Sequence, residues 1–190
     1  MTSQLTNAVL LAALAFCCNA AALAAEPFAL TSTTFKDGAV MPKKVANNVA
    51  DNANCVGGNV SPQLAWSGAP EGTRSFALTM VDPEGRRGLG THHWVAYGIP
   101  PDVTSLAEGE ASKPSDRYVG GKSTQGVGAY SGPCTPPGSP HHYTFVVIAT
   151  DLDPKELPPG LTLPELWDKL RGHAKAAAGL VGLFVNPYPN

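Results

Sequence analysis

The sequence predicts a mainly β protein, a single compact β-sandwich domain with one or two short helices close to its C-terminal end. Hydrophobic residues fall in short runs broken by turn chemistry, among 20 glycines and 18 prolines, which suits many turns joining short strands. The best of these runs are rich in β-branched and aromatic side chains, and helical spacing is confined to the C-terminal part. With 190 residues the chain has room for one ordinary domain, taken as 26–190. Its 43% hydrophobic and 15% charged residues supply a packed core and exclude a disordered chain.

In chain order, the Thr-rich stretch 28–35 reads as a strand and Lys36-Asp37-Gly38 as a turn. Residues 39–45 read as a short strand carrying Pro42, and the polar stretch 47–59 with Gly57-Gly58 as loop. Leu64-Ala65-Trp66 is a short strand, followed by a turn over 68–73. Residues 75–81 are nearly apolar on both faces and predict a central strand. Residues 93–99 predict another, stopped by Pro100-Pro101, and 143–150 predict a third. Thr162 with Glu165 three residues on, and Pro164 in the first turn, mark a helix start. Leu163, Leu166, Trp167 and Leu170 keep helical spacing up to Gly172. The Ala-rich stretch 173–179 predicts a second helical piece, and 180–185 returns to strand. Trp66, Trp94 and Trp167 are all assigned to packing.

Residues 1–25 carry no charged side chain. Val9 opens an apolar run ending at Cys18, too short to span a bilayer, and the alanines that follow offer small-x-small cleavage sites before Glu26. These features predict a signal peptide at 1–25, hence a periplasmic or secreted protein without a transmembrane segment in the mature chain. A lipoprotein signal at Cys17 and a buried N-terminal helix are the rival readings; the bulk of Phe16 before Cys17 weighs against lipidation. After cleavage Cys55 and Cys134 are the only cysteines, and an oxidising compartment predicts a disulfide between them, against the alternative of two unpaired buried thiols.

The net charge of −2 is scattered, with no basic stripe for a nucleic-acid backbone and no polybasic membrane anchor. Chemistry concentrates at strand ends instead. Residues 75–81 run into Asp82-Pro83-Glu84-Gly85, His92-His93 opens the next strand, and His141-His142 precedes Tyr143. Adjacent strand residues face opposite ways, so one imidazole of each pair can share a rim with Asp82 and the Gly132-Pro133-Cys134 loop.

Asn59-Val60-Ser61-Pro62-Gln63-Leu64-Ala65-Trp66, Asp82-Pro83-Glu84, the run from His92 to Pro100, and Gly132-Pro133-Cys134 with His141-His142-Tyr143 occur in one order and spacing. Together they resemble the bacterial, Raf-kinase-inhibitor-like branch of the phosphatidylethanolamine-binding proteins, over roughly 28–184. The resemblance implies a mostly antiparallel β-sandwich with a pocket for a small anion or phospholipid head group. It places Asp82 and Pro83 at the pocket mouth, His93 and His141 as its imidazoles, Gly132 and Pro133 as a wall, and Tyr143 as a nearby phenol. It implies no metal or other cofactor. The chain departs from the family at Gly85-Arg86, where an Ala-Pro pair is expected, and at His142, where an Arg is expected.

A non-enzymatic binding protein is the function expected. Two imidazoles and Asp82 could also hold a metal, though no His-Glu-x-x-His run exists. A carboxylate beside an imidazole is half a hydrolytic triad, and no Gly-x-Ser-x-Gly elbow supplies the nucleophile. A protein partner, such as a secreted protease inhibited by this domain, is the alternative function.

Overall fold

The computed structural model describes residues 26–189; the expected leader at 1–25 lies outside the described residues. Nine strands occur among the described residues: β1 (Ala29–Thr31), β2 (Ala39–Val40), β3 (Leu64–Ser67), β4 (Ser75–Asp82), β5 (Thr91–Ile99), β6 (Ser105–Leu106), β7 (Val119–Gly120), β8 (His141–Thr150) and β9 (Ala174–Phe184). One sheet has the order β1-β3-β6 and the other β2-β9-β8-β4-β5-β7. All pairings are antiparallel except β2 with β9.

Strand β4 explains the layering. It is buried at every position but Val81, because both its faces are covered. Phe76, Leu78 and Met80 join Trp94, Phe145 and Val147 in the core between the two sheets, where Trp66 meets Phe76 edge-on at 5.5 Å. Ala77 faces the other way, with Val95, Tyr97, Leu163, Leu166 and Leu170. Each fully buried aliphatic or Phe side chain in these layers contributes about 1.5–3 kcal/mol of transfer free energy.

The second layer is covered by the helix Leu163–Leu170. Its start is as the sequence predicts: the backbone N–H and hydroxyl of Thr162 both donate to Glu165 Oε2, at 2.8 and 2.7 Å. Leu163, Leu166 and Leu170 are buried, but Trp167 is 51% exposed, a correction to its assignment as core. Its indole sits at the margin of the helix's apolar stripe and meets His92 edge-on.

Residues 174–179 form the first half of β9, not a second helix. Alanine favours helix, yet here its small side chain lies on a strand whose register with β8 is set by the buried Leu180 and Phe184. Strand β2 is aligned only with Gly182 and Leu183, so the outer edge of β9 ahead of them carries no neighbouring strand among the described residues. Residues 28–35 and 39–45 are strand only at Ala29–Thr31 and Ala39–Val40, and Lys43–Val45 is a 3-10 turn.

A disulfide joins Cys55 to Cys134, as the sequence predicts. It ties the 47–59 loop to the segment after β7, where Asn47 N–H also donates to the Pro133 carbonyl at 2.8 Å. No helix among the described residues is long and apolar enough to cross a membrane.

Candidate functional site

Strands β4, β5 and β8 end together, and their ends bring Asp82, His93, His141 and Tyr143 around a cavity of about 300 Å³. Asp82 and Tyr143 follow the inward face of their strands, in step with Met80 and Phe145. His93 does not follow simple alternation, because Trp94 beside it is also inward. The register slips there: Met80 pairs with Trp94 but Val81 pairs with His92, which leaves His93 as an extra residue in a β-bulge. The bulge re-aims the imidazole into the cavity, a use of bulges that recurs next to functional sites. His92 is left on the outer face against Trp167.

Hydrogen bonds fix the site. His93 is 3% exposed, and its Nδ1 donates to the Ser131 carbonyl at 2.8 Å. That assigns the neutral ring a bare Nε2, which faces the cavity 4.0 Å from Asp82 Oδ2, beyond hydrogen-bond reach. The same Asp82 oxygen accepts from His141 Nδ1 at 2.8 Å, and Oδ1 accepts from the Gly85 N–H at 2.9 Å. The Tyr143 phenol shares a 2.7 Å hydrogen bond with Thr135, and its ring meets His93 edge-on at 5.2 Å. Burial holds the His93 imidazole below its ordinary value, against the opposing pull of the Ser131 and Gly132 carbonyls and of Asp82. Burial likewise pushes the Tyr143 phenol well up, so it stays a neutral donor and acceptor.

The rim is the loop after Asp82. Arg86 and Arg87 take left-handed φ of 53° and 62°, a costly conformation for non-glycine residues, and both line the cavity. Gly85 is required where it stands: a Cβ there would run into the Thr91 side chain. Burial acts to raise the Glu84 carboxyl, but hydrogen bonds from the His142 ring and backbone outweigh it and hold Glu84 below its usual range.

The model of the family described as phosphatidylethanolamine-binding protein matches residues 31–185. This chain belongs to that family. The UPF0098 protein YbcL of Escherichia coli is 39% identical over 130 residues, 66% of this chain and 69% of YbcL. The UPF0098 protein YbhB of the same organism is 30% identical over 158 residues, 82% of this chain and 98% of YbhB. The crystal structure of E. coli YbcL, described as a new member of the mammalian PEBP family, superposes with a TM-score of 0.75 at 32% identity, covering 83% of this chain and 98% of that one.

Within this phosphatidylethanolamine-binding-protein fold the expected residues divide. Asp82, His93, His141 and Tyr143 line one cavity, and Cys134 joins them. Pro83 instead points to the outer face of the sheet, where it borders an apolar groove with Val81, Val146 and Trp167. Gly132 and Pro133 stand behind the cavity rather than on its surface. The Gly132 N–H donates to Asn59 Oδ1 at 2.8 Å, and the backbone packs so closely on the Val45 carbonyl that a Cβ would collide with it. Their contribution is to carry the Ser131 carbonyl to His93. Glu84, Thr91, Gln125 and Pro136 also line the cavity, although none of them is expected from the sequence as a ligand-binding residue. For Glu84 the signal was its place two residues after Asp82; Gln125 and Pro136 lie in loops whose path no local pattern reveals. His142, where the resemblance implies an Arg, meets Glu84 through its ring: Nδ1 is 2.7 Å from Glu84 Oε1.

Proposed function

We propose that this chain is a non-enzymatic binding protein whose pocket takes a small anionic group, a phosphate or the phosphate of a phospholipid head group. The observation that carries the reading is the buried His93 ring, committed at Nδ1 to a backbone carbonyl and open at Nε2 to the cavity. Protonated at Nε2, it becomes a charge-assisted donor in a partly dry site, where such bonds are strong. His141 supplies a second imidazole, and Arg86 and Arg87 bring two guanidinium groups to the rim. Asp82 repels an anion directly; its part is to orient His141 and to favour the charged form of His93. It is also the group that a head-group ammonium would meet. A cavity of about 300 Å³ is at the small end of ligand sites, with room for a head group rather than an acyl chain.

The surroundings of His93 support binding over catalysis. The hydroxyl of Ser131 accepts a hydrogen bond from Asn47 at 2.9 Å, and it is the Ser131 carbonyl, not its hydroxyl, that meets the imidazole. A histidine–serine nucleophile pair is therefore not formed there. Export belongs to the same reading, supported by the uncharged apolar leader and by a disulfide of the kind that persists in oxidising compartments.

An NMR titration with phosphoethanolamine and inorganic phosphate tests this reading. Shifts centred on Asp82, His93, His141 and Tyr143 are expected, and their loss in His93→Ala. Millimolar ligand without such shifts, or shifts that the variant leaves unchanged, would overturn it.

A further inference from the structure

The cavity holds more acid than an anion site needs. Asp82 and Glu84 both present carboxylates there, and with His141 they form a group whose ligand atoms all lie within 4.8 Å of one another. An anion alone would leave these two carboxylates facing it. A second, separate feature is His93, nearly fully buried, whose Nε2 has no hydrogen-bond partner among the described residues and looks toward Asp82 Oδ2 from 4.0 Å. An imidazole with one nitrogen tied to a carbonyl and a bare lone pair on the other is in the state that ligates a metal.

We infer that Asp82, Glu84 and His141 form a binding site for a zinc-class divalent cation, with His93 Nε2 as the fourth donor beside it. Mixed nitrogen and carboxylate donors select zinc and its first-row neighbours; calcium and magnesium prefer all-oxygen shells. His141 Nδ1 and Asp82 Oδ2 are hydrogen-bonded at 2.8 Å, and a cation between them would take the place of that hydrogen bond. Tetrahedral bonds of about 2.0–2.1 Å require the two atoms to part only to about 3.3 Å.

The outer shell already stands. The Gly85 N–H holds Asp82 Oδ1, the His142 ring holds Glu84 Oε1, and the Ser131 carbonyl holds His93 Nδ1. Each of these contacts orients a donor while leaving a lone pair for the ion, the arrangement that metal sites use to fix their ligands. Arg86 and Arg87, exposed at the rim, also line the cavity; their charge opposes the ion and favours an anion bound beside it. The inference rests on Asp82, Glu84 and His141, and it meets the anion reading at His93 Nε2: a metal takes that atom's lone pair and an anion takes its proton, so the ring serves one of the two at a time. A bound cation would nonetheless add positive charge to the cavity that a phosphate could meet.

The test is a competition titration of metal-free protein with Zn²⁺ against a chromophoric zinc indicator, with Co²⁺ absorption as a second readout. One ion per chain at micromolar affinity or tighter is expected, with d–d bands of a four-coordinate cobalt site. Glu84→Gln, at a half-buried position that tolerates the change, is expected to weaken binding at least about tenfold. His173→Ala, which removes a His–carboxylate contact at the opposite end of β8, is expected to leave it unchanged. Binding well below one ion per chain, or a folded Glu84→Gln that binds zinc like the parent, would overturn the inference.

Discussion

His93 titrates against its own burial, and the sign of that effect is testable. Burial places its native value below the ordinary 6.5, so between the two values the unfolded chain carries the extra proton. Stability is therefore expected to fall as pH drops through 6.5, by up to about 1.4 kcal/mol per pH unit until the native value is reached. Anion affinity is expected to move the opposite way, because an oxyanion draws the proton onto Nε2. Asp82 supports that proton, and a charged His141 opposes it. Sulfate, whose own charge is constant in this range, is the suitable probe. Urea midpoints and sulfate affinities measured at pH 7.5 and 5.5 check both directions, and His93→Ala should flatten the affinity change. A sulfate affinity that did not rise toward pH 5.5 would remove His93 from the binding account. At this scale the sequence was legible where strand alternation works, as at His141, Tyr143 and Asp82. It was not legible at His93 for the reason assumed, since the bulge, not alternation, turns that ring inward.

The strands β4, β5 and β8 could be read from apolar and β-branched runs because burial on one or both faces selects those residues. The helix start could be read from its capping box. The Ala-rich start of β9 could not, because its conformation is imposed by pairing with β8 rather than by its own preference. The fate of Trp167 was likewise hidden: helical spacing gives the face, not how far the sheet beneath it extends. Trp167→Ala is accordingly expected to cost under about 1 kcal/mol, where a buried Trp truncation costs about 3–5. Thermal unfolding of Trp167→Ala beside Trp94→Ala reads that contrast. The loop 131–134 is an element of backbone contacts, invisible to side-chain patterns. Gly132→Ala should destabilise by about 1–3 kcal/mol through its collision with the Val45 carbonyl, and weaken phosphate binding by displacing the Ser131 carbonyl from His93. Denaturant melts and the phosphate titration of that variant measure the two effects.

The domain is closed by one long-range covalent tie. Cys55 and Cys134 are 79 residues apart, and a loop of that length is worth about 4 kcal/mol in the chain-entropy account. A Cys55→Ala, Cys134→Ala double variant should lose stability of that order by urea denaturation, and a loss below about 1 kcal/mol would show that backbone contacts such as Asn47 to Pro133 hold the two loops by themselves. The presence of two cysteines was plain in the sequence. Their effect on the site, the setting of the wall behind His93, needed the fold. The outer edge of β9 ahead of Gly182, which has no neighbouring strand among the described residues, has a different bearing, on how copies of the domain meet in crowded solution. Ala174 to Gly179 offers backbone donors and acceptors to any passing strand, but its side chains are small except for the long, charged Lys175. Small residues give an incoming strand little apolar surface, and a lysine must be desolvated before edges can join. Lys175 is thus expected to act as a gatekeeper against edge-to-edge aggregation. Replacing it with valine should convert a concentration-independent light-scattering signal into one that grows with concentration and time.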